Sequence, residues 1–373
     1  MTKFRWLKTA AAAAVAAAVC GCSTPKYEPA DLVDFEPALA VTEVWNEGVP
    51  DSEGFLVPAV YENSVWVAGG DRLYRMNADD GSVEWKISFD ADITGGVGTD
   101  GYIAAVALEN GTLQVVDGEG KVQWNTTLTS QLSSPPVVAH DLVIVRTADT
   151  RVTAFSAATG EQKWTYQRTQ PALTVRVPNE MVVRETLLFV GQANGQIVIL
   201  DIPSGRPVFE FPVGEPKGIT EVERLIDVVG APAVTPEMLC GAAYQGAVTC
   251  VDGRSGQPMW SQKADAVAGP AIDDDNVYVV EADGVVRAFY KESGEPRWTN
   301  KTMTYRGLTA PVAVPGAVAV GDEEGYIHFL SPRTGEEIAR ERLSGPVVTP
   351  AQPYQGGAIF QTSNGDVAYL ATR

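Results

Sequence analysis

Short segments rich in apolar and β-branched residues recur along the entire chain and are separated by turn residues. Within each segment Val, Ile, Tyr and Phe either alternate with polar residues or run together, and Gly, Asp, Asn or Pro interrupts them roughly every eight to twelve residues. No long stretch has apolar residues at the three- and four-residue spacing of an amphipathic helix. The pattern therefore predicts an all-β protein.

A longer motif, made of a β-type segment, a glycine turn and a second segment that usually carries tryptophan, occurs eight times. Trp45, Trp85, Trp124 and Trp164 follow one another at intervals of 40, 39 and 40 residues. A period near 40 residues with four strands in each unit is typical of β-propellers, in which radial repetition leaves only short edges. The seven complete copies lie at residues 72–85, 112–124, 151–164, 196–209, 247–260, 285–298 and 326–339.

The eighth copy stops at Arg373 before its tryptophan segment, and the missing segment stands at the other end of the chain, where AVTEVW ends at Trp45. We therefore expect the N-terminal strand to complete the last blade. The predicted fold is an eight-bladed β-propeller of four-stranded antiparallel blades over residues 40–373, with the tryptophans packed between neighbouring blades. The turn motif, in which a glycine such as Gly160 is soon followed by a tryptophan such as Trp164, resembles the repeat of pyrroloquinoline-quinone-type propellers. This resemblance indicates the fold and says little about the chemistry.

Residues 1–21 are typical of a bacterial targeting segment. Lys3, Arg5 and Lys8 precede an alanine-rich apolar stretch at residues 9–19, which suits a signal peptide and is short for a transmembrane helix. The end of this segment, Val19-Cys20-Gly21-Cys22, resembles a bacterial lipobox. The resemblance makes Cys22 the expected lipidation site and mature N-terminus. An ordinary cleavage site with incidental cysteines is the alternative.

The residues after Cys22 favour an anchored protein of the outer membrane. Ser23 rather than an aspartate follows the cysteine, which in such lipoproteins implies sorting to the outer membrane. Several acyl chains on one cysteine suffice for stable anchoring. Residues 22–39 are rich in Pro and charge and are predicted to form a tether, so that the propeller lies on the periplasmic face.

Charge narrows the range of partners. The formal net charge is −19, and removal of the leader would make the mature chain more negative still. Nucleic acids and anionic lipid headgroups require clustered Lys or Arg, and no basic run is present, so neither is expected as a partner. A basic surface on another protein remains a suitable partner.

Two cysteines, Cys240 and Cys250, remain in the predicted mature propeller, on segments that flank a turn at residues 244–246. A two-residue loop would place them on opposite faces of the hairpin, whereas a slightly longer loop would set them side by side. An oxidising periplasm permits a disulfide, but two small buried thiols are the reading that we favour from sequence.

Groups for catalysis or cofactor binding are not evident. The repeat is similar to that of quinone-dependent dehydrogenases, and the resemblance would imply a pair of adjacent cysteines and a calcium site. This chain has no Cys-Cys pair. Residues 273–275 are three aspartates at a predicted hairpin tip without the spacing of a calcium loop. His140 and His328 have no cysteine or serine motif attached, and residues 95–98 are not followed by a helix. We predict a non-catalytic protein without a cofactor or metal.

The repeat is broken in two adjacent blades. The interval from Trp164 to Phe209 is 45 residues and that from Phe209 to Trp260 is 51, against 38 for the next step to Trp298. Both additions, at residues 168–176 and 214–227, follow the outer strand of one blade and precede the inner strand of the next. They are therefore expected on one face of the disc, where functional loops are commonly added to a regular scaffold.

The two insertions mix apolar and charged side chains, as protein-recognition hot spots do. Alternatively, Val175 and Leu225 begin inner strands and the charges are solvated or paired. The apolar members are Leu173, Val175, Ile219 and Leu225, and the charged members are Arg176, Glu221, Arg224 and Asp227.

These insertions, set in an eight-unit propeller behind a lipobox, resemble the BamB family of lipoproteins of the outer-membrane β-barrel assembly (Bam) machinery. In that family the two loops dock on a periplasmic POTRA domain of BamA, the barrel subunit. The resemblance implies that Leu173, Val175 and Arg176 make the docking contact, with Glu221, Arg224 and Asp227 beside them. The chain departs from the family pattern at Val229, where a second acidic residue is expected, and at Ala339, which replaces tryptophan.

The resulting prediction is a non-catalytic scaffold that binds BamA and helps unfolded outer-membrane proteins to insert as β-barrels. Two alternatives stay open at this point. One is a periplasmic quinoprotein-like enzyme that uses the channel of the propeller, and the other is a propeller that binds another envelope component.

Overall fold

The computed structural model describes residues 27–51, 55–168, 173–175, 179–216, 219–220, 222 and 224–373. These residues form 33 strands and no helix. Consequently, no helix in the described part of the chain could span a membrane. The strands group into eight sheets, and four antiparallel strands in each form one blade of an eight-bladed propeller. One sheet has a fifth, two-residue strand, Phe55–Leu56, which pairs in parallel with its neighbour.

The strands are numbered in chain order, and blades 1 to 4 follow β1 (Val41–Gly48) and the short β2 (Phe55–Leu56). Blade 1 contains β3 (Ala59–Tyr61), β4 (Ser64–Gly69), β5 (Arg72–Asn77) and β6 (Val83–Ser88). Blade 2 contains β7 (Ile93–Thr99), β8 (Ile103–Leu108), β9 (Thr112–Asp117) and β10 (Val122–Thr127). Blade 3 contains β11 (Val137–Ala139), β12 (Leu142–Arg146), β13 (Val152–Ser156) and β14 (Gln162–Tyr166). Blade 4 contains β15 (Val182–Arg184), β16 (Leu187–Gly191), β17 (Gln196–Asp201) and β18 (Pro207–Pro212).

The remaining four blades complete the ring. Blade 5 contains β19 (Val228–Val234), β20 (Met238–Ala243), β21 (Gly246–Asp252) and β22 (Pro258–Ala264). Blade 6 contains β23 (Ala271–Ile272), β24 (Asn276–Val280), β25 (Val286–Tyr290) and β26 (Pro296–Asn300). Blade 7 contains β27 (Val312–Val314), β28 (Ala317–Gly321), β29 (Tyr326–Leu330) and β30 (Glu337–Arg342). Blade 8 contains β31 (Gln352–Tyr354), β32 (Gly357–Gln361), β33 (Asp366–Thr372) and, as its outer strand, β1.

The N-terminal strand closes the ring. β1 pairs antiparallel with β33 from Val41 opposite Thr372 to Gly48 opposite Asp366. This pairing confirms the closure predicted from the position of Trp45. It also joins the two ends of the chain in one sheet.

Neighbouring blades enclose the hydrophobic core between them. The second strand of a blade is buried on both of its faces, as in β4 and β12, because another blade packs against each face. Outer strands such as β6 and β10 alternate between partly buried and exposed positions. This difference explains why some segments of the sequence run apolar while others alternate.

Each tryptophan of the repeat fastens its outer strand to the next blade. The indole Nε1 donates to a backbone carbonyl in a turn of that blade, and the ring lies over a turn glycine, such as Gly160 beneath Trp124. Gly160 has φ 71°, and a Cβ added there would lie 2.8 Å from the ring. The six donor–acceptor pairs are Trp45–Ala78, Trp85–Gly118, Trp124–Ala157, Trp164–Ile202, Trp260–Lys291 and Trp298–Pro332, at 2.7–3.0 Å.

The missing tryptophan at Ala339 has a structural reason. Ala339 lies in β30 of blade 7 and is buried, with 5% of its surface exposed. The next blade has no turn between its third and fourth strands, because these are β33 and β1 at the two ends of the chain. There is therefore no turn glycine for an indole to cover.

The two faces of the disc differ in their connections. Since the strands of a blade alternate in direction, the turns between the first and second strands and between the third and fourth strands lie on one face, named here the turn face. The turns between the second and third strands and the connections between blades lie on the other face, named the connection face.

The described part of the predicted tether is held against the propeller. The Ala38 and Leu39 amides donate to the Ile338 carbonyl, and the Arg340 Nη2 donates to the Val33 carbonyl at 2.9 Å. Nearer the N-terminus, Tyr27 stacks on Tyr305, with ring centroids 4.5 Å apart. The tether thus crosses the outer wall from the turn face at Leu39 to the connection face at Tyr27.

Cys240 and Cys250 form a disulfide. They lie directly opposite each other in β20 and β21, so their side chains project from the same face of the hairpin. This register corresponds to the longer of the two turns considered from sequence. The preference for two free thiols was wrong because only the register determines which side chains meet.

Candidate docking site on the connection face

The two insertions are connections between blades and therefore lie on the connection face. The first joins β14 to β15 and the second joins β18 to β19. The backbone N–H of Val175 in the first donates to Oδ2 of Asp227 in the second at 2.5 Å. The two loops therefore meet and form one surface, named here the loop platform, whose described residues are 173–175, 219–220, 222 and 224–227.

Apolar side chains project from the loop platform into solvent. Leu173 is 46% exposed, Val222 is 60% exposed and Ile219 is 98% exposed. Solvent-exposed apolar side chains clustered beside charged ones are characteristic of protein-interaction surfaces. The sequence had singled out Leu173 and Ile219, but it had not identified Val222.

The second loop contains a tight turn that presents Arg224. The Arg224 amide donates to the Thr220 carbonyl at 3.2 Å, and the Leu225 amide donates to the Val222 carbonyl at 3.3 Å. Arg224 is exposed, whereas Leu225 is partly buried. Its neighbour Ile226 is buried and anchors the base of the loop among apolar residues of blades 4 and 5.

The alternative in which Val175 and Leu225 begin inner strands is not supported. β15 begins at Val182 and β19 begins at Val228, so both residues precede their strands. Two further predicted contact residues, Arg176 and Glu221, lie outside the described residues, as does Cys22.

Asp227 occupies a buried position beneath the loop platform. It is 4% exposed, and its carboxylate is directed to the Val175 amide. Burial raises the pKa of Asp227 to about 6, although the Val175 hydrogen bond and the charge of Arg146 oppose this rise. This placement suits a residue that holds the two loops together. Its predicted contact with a partner stays a prediction.

Arg146 of blade 3 is the cation whose charge acts on Asp227. It ends β12 and is 6% exposed, and burial lowers its pKa to about 10, an effect that Asp227 partly offsets. The sequence pattern did not lead us to expect Arg146 at this site. The available signal was an arginine at the end of the apolar segment LVIVR, where the equivalent strands end in residues without charge.

The channel wall carries a second acid with a raised pKa. Glu180 follows the isolated bridge between Asn179 and Gly230, and it lines a recess of about 250 Å³ together with inner-strand residues such as Val60 and Val137. Burial raises the pKa of Glu180 to about 7. Within the described ranges, no three His, Cys, Asp or Glu side chains are grouped so that they could hold a metal ion.

His328 belongs to a buried ionic network of blade 7. Its Nδ1 lies 2.6 Å from Oε1 of Glu337, and its Nε2 lies 3.1 Å from Oδ2 of Asp322. Burial alone would lower the pKa of His328, but the two carboxylates outweigh burial and raise it. Arg306 and Arg340 pair with the same two carboxylates and reach the tether. His328 therefore has a structural role, because it joins two buried carboxylates of blade 7.

The other polar residues singled out from sequence also make local contacts. Nε2 of His140 lies 2.6 Å from the carbonyl oxygen of Glu185 in the next blade. Asp273 accepts hydrogen bonds from the amides of Asp275 and Asn276, so it shapes the turn between β23 and β24. Both arrangements are those of structural residues.

The fold and the loop platform define a repeat propeller whose distinctive feature is a surface built from two connections between blades. The family model described as "Outer membrane protein assembly factor BamB" matches residues 69–300 and 282–373. The chain therefore belongs to the BamB family of outer membrane protein assembly factors.

Individual relatives agree with this assignment. The BamB of Bordetella pertussis is 36% identical over 362 residues, which cover 95% of this chain and 94% of the relative. The BamB of Burkholderia pseudomallei is 34% identical over 370 residues, which cover 97% of each chain. Both are named as assembly factors rather than as enzymes, in agreement with the non-catalytic prediction.

Solved structures give the same result. The crystal structure of BamB from Moraxella catarrhalis matches with a TM-score of 0.82 at 27% identity, covering 89% of this chain and 100% of that one. A quinohemoprotein alcohol dehydrogenase from Comamonas testosteroni matches with a TM-score of 0.69, covering 89% of this chain and 76% of that one. Its sequence identity is 12%, so this likeness concerns the fold alone.

Proposed function

We propose that this protein is a lipid-anchored scaffold of the outer-membrane protein assembly machinery and that it docks on a POTRA domain of BamA through the loop platform. The observation that carries the proposal is the hydrogen bond between Val175 and Asp227, because it makes a single surface of two loops that lie 52 residues apart in sequence. The proposed contact residues are Leu173, Val175, Arg176, Glu221, Arg224 and Asp227.

The described side chains have the chemistry for such a contact. Leu173, Ile219 and Val222 offer apolar area that a partner would remove from water, which favours association. Arg224 beside them can pair with a carboxylate of the partner. Asp227 contributes from below by fixing the first loop relative to the second.

The proposed anchor suits this arrangement. Cys22 lies five residues before Tyr27, which contacts Tyr305 on the connection face. Five residues of extended chain span at most about 17 Å. A lipid on Cys22 would therefore leave the propeller from the face that carries the loop platform. Both attachments, to the outer membrane and to BamA, would then act on one side of the disc.

Assistance to unfolded outer-membrane proteins is the second part of the proposal. A scaffold bound to BamA can present exposed strand edges or grooves between blades to a client chain, and extended polypeptides bind such features through backbone hydrogen bonds and side-chain pockets. This role requires no catalytic group.

The docking proposal is tested by replacing Leu173 and Val175 together with alanine. The change truncates two side chains but keeps the Val175 amide that binds Asp227. We expect the amount of BamA that co-purifies from membranes to fall about tenfold, as for a typical hot-spot pair. Arg176→Ala, tested separately, is expected to act in the same direction.

The matched control is Tyr102→Ala on the turn face. Tyr102 is 76% exposed, so the substitution also removes an exposed apolar side chain, but on the opposite side of the disc. Equal co-purification of BamA with the Leu173/Val175 double variant and with the control would remove the loop platform as the docking site.

A further inference from the structure

The contact between blades 4 and 5 differs from its six equivalents. Phe209 stands where the other blades carry tryptophan, and its ring lies over Gly256 as the indoles lie over their own turn glycines. A phenyl ring has no N–H group, so Phe209 cannot donate to the carbonyl of Gly253, which corresponds to the acceptors of the six indoles. This contact therefore lacks the hydrogen bond that fastens the others.

A cavity of about 510 Å³ opens at the same place. Its walls come from both blades and mix apolar and polar groups, and the apolar members include Leu187, Ile199, Val208, Phe209, Leu239 and Val251. Val208 is 55% exposed and Phe209 is 39% exposed, which leaves apolar surface in contact with water. The volume lies within the range of small-ligand pockets and is ample for one large side chain.

The cavity lies on the turn face, opposite the loop platform. Glu185 lines it from the turn between β15 and β16, and Pro236 lines it from the turn between β19 and β20. A ligand in this cavity would therefore leave the loop platform free for another partner.

The molecule itself indicates which side chain such a site accepts. At six equivalent contacts an aromatic ring covers a turn glycine and its N–H donates to a turn carbonyl at 2.7–3.0 Å. At the contact between blades 4 and 5, Gly253, whose carbonyl has the equivalent position, is exposed and lines the cavity. A ring that brings its own N–H meets both requirements, since it buries apolar area and supplies the missing donor.

Charged side chains also line the cavity, and their charges balance. Arg184 from blade 4 and Arg254 from blade 5 line the cavity, as do Glu185 and Asp252. The carboxylate of Asp252 is already engaged with its own turn, where it accepts from the amides of Arg254 and Ser255. These hydrogen bonds favour the ionised form of Asp252, so the two guanidinium groups and the two carboxylates cancel and the cavity does not select a charged ligand.

We propose that this cavity binds the tryptophan side chain of an extended segment of another polypeptide. β-Barrel membrane proteins carry girdles of aromatic residues, so their unfolded chains would supply such side chains. The identification of the ligand with these clients rests on the function proposed above, whereas binding of the side chain itself does not.

The proposal is tested by ¹⁹F NMR with a short acetylated peptide that carries 5-fluorotryptophan between two glycines. We expect saturable binding to the wild-type protein. Binding should be at least about tenfold weaker when leucine replaces the tryptophan, monitored by competition, because leucine brings neither the ring nor the donor.

Phe209→Trp is the decisive variant, since it places an indole of the protein itself over Gly256 and next to the Gly253 carbonyl. We expect it to melt at the same or a higher temperature than the wild type, which shows that it is folded, and to bind the peptide at least about tenfold more weakly. Equal binding by the wild type and Phe209→Trp, or no saturable binding by the wild type, would overturn the proposal.

The same variant separates this proposal from the docking proposal. Phe209→Trp leaves the connection face unchanged, so BamA should co-purify as with the wild type. Loss of peptide binding with BamA retained supports the cavity independently. A Leu173/Val175 double variant that loses BamA but still binds the peptide would show that the two sites act independently. If the double variant keeps both BamA and the peptide, only the docking proposal fails.

Discussion

Single residues determine how the loop platform is held together, and Asp227 is the clearest case. A carboxylate in a polar loop would ordinarily be solvated, but here it is buried, accepts a hydrogen bond from the Val175 amide and interacts with the charge of Arg146. One amide and one distant charge do not fully replace water, and the pKa of Asp227 therefore rises to about 6. The loop contact is thus coupled to protonation close to neutral pH.

The titration of Asp227 gives a prediction for stability. Because its pKa is higher in the folded state than in the unfolded state, its stabilising contribution is complete below about pH 4 and is lost as the pH rises through about 6. Asp227→Asn removes this titration, and its side-chain oxygen can still accept from Val175. Between about pH 4 and about pH 7, the free energy of unfolding of the wild type should therefore decrease relative to that of the variant by on the order of 1–3 kcal/mol.

The measurement is urea unfolding across this pH range, together with the pH dependence of the Val175 amide chemical shift. In the wild type this shift should titrate with a midpoint near 6, and in Asp227→Asn it should not. A Val175 shift with the same midpoint in both proteins would show that another group is responsible.

At the scale of the element, the hairpin of β20 and β21 supports the second loop. This hairpin belongs to the blade that follows the loop, and Tyr244 at its turn donates its amide to the Asp227 carbonyl at 2.9 Å. The disulfide between Cys240 and Cys250 fixes the register of the same hairpin. Covalent and hydrogen-bonded constraints therefore meet at the base of the loop platform.

Removal of this disulfide should cost a moderate amount of stability. The two cysteines are separated by 10 residues, and closing a loop of this size lowers the entropy of the unfolded chain by an amount worth about 2–3 kcal/mol. The Cys240→Ala/Cys250→Ala double variant should lose this amount in urea unfolding. A reductant should destabilise the wild type to a similar extent and leave the variant unaffected. The prediction would be contradicted if the wild type, once full reduction of its cysteines has been verified, is as stable in urea as it is without reductant.

For the whole molecule, ring closure and the tether both depend on contacts between the ends of the chain and blades far away in sequence. β1 completes blade 8, and the tether is held by blade 7 and by the connection that precedes it. Arg306 is central because it is 2% exposed, binds Asp322 and Glu324, and donates to the Ala30 carbonyl at 2.8 Å. One side chain thus links the ionic network of blade 7 to the path of the proposed anchor.

Arg306→Leu should therefore act on both the ring and the tether. It leaves Asp322 buried with one cation fewer, which typically costs about 3 kcal/mol, and it removes the hydrogen bond to Ala30. We expect a lower melting temperature and faster proteolysis within residues 27–39. Tyr27→Ala is the control, since it removes only the stacking on Tyr305 and should free the start of the tether at a cost of about 1 kcal/mol or less. Protection of the tether in Arg306→Leu equal to that in the wild type would refute this role.

The sequence by itself determined the architecture, because a propeller repeats its local pattern. Apolar periodicity marks the strands and the tryptophan interval marks the blades. The position of Trp45 identifies the closing strand without knowledge of any distant contact. The longer intervals before Phe209 and Trp260 likewise located the loops, since an insertion changes spacing whatever its conformation.

Only the tertiary structure decided the properties that depend on which residues meet across blades. The pKa of the buried Asp227 depends in part on the charge of Arg146, which lies two blades away. The carboxylates beside His328 and the disulfide depend on strand register. The cavity beside Phe209 depends on the residues that blade 5 places opposite the phenyl ring. Burial, pKa and hydrogen-bond partners are set by neighbours in space, and a linear pattern contains no direct record of them.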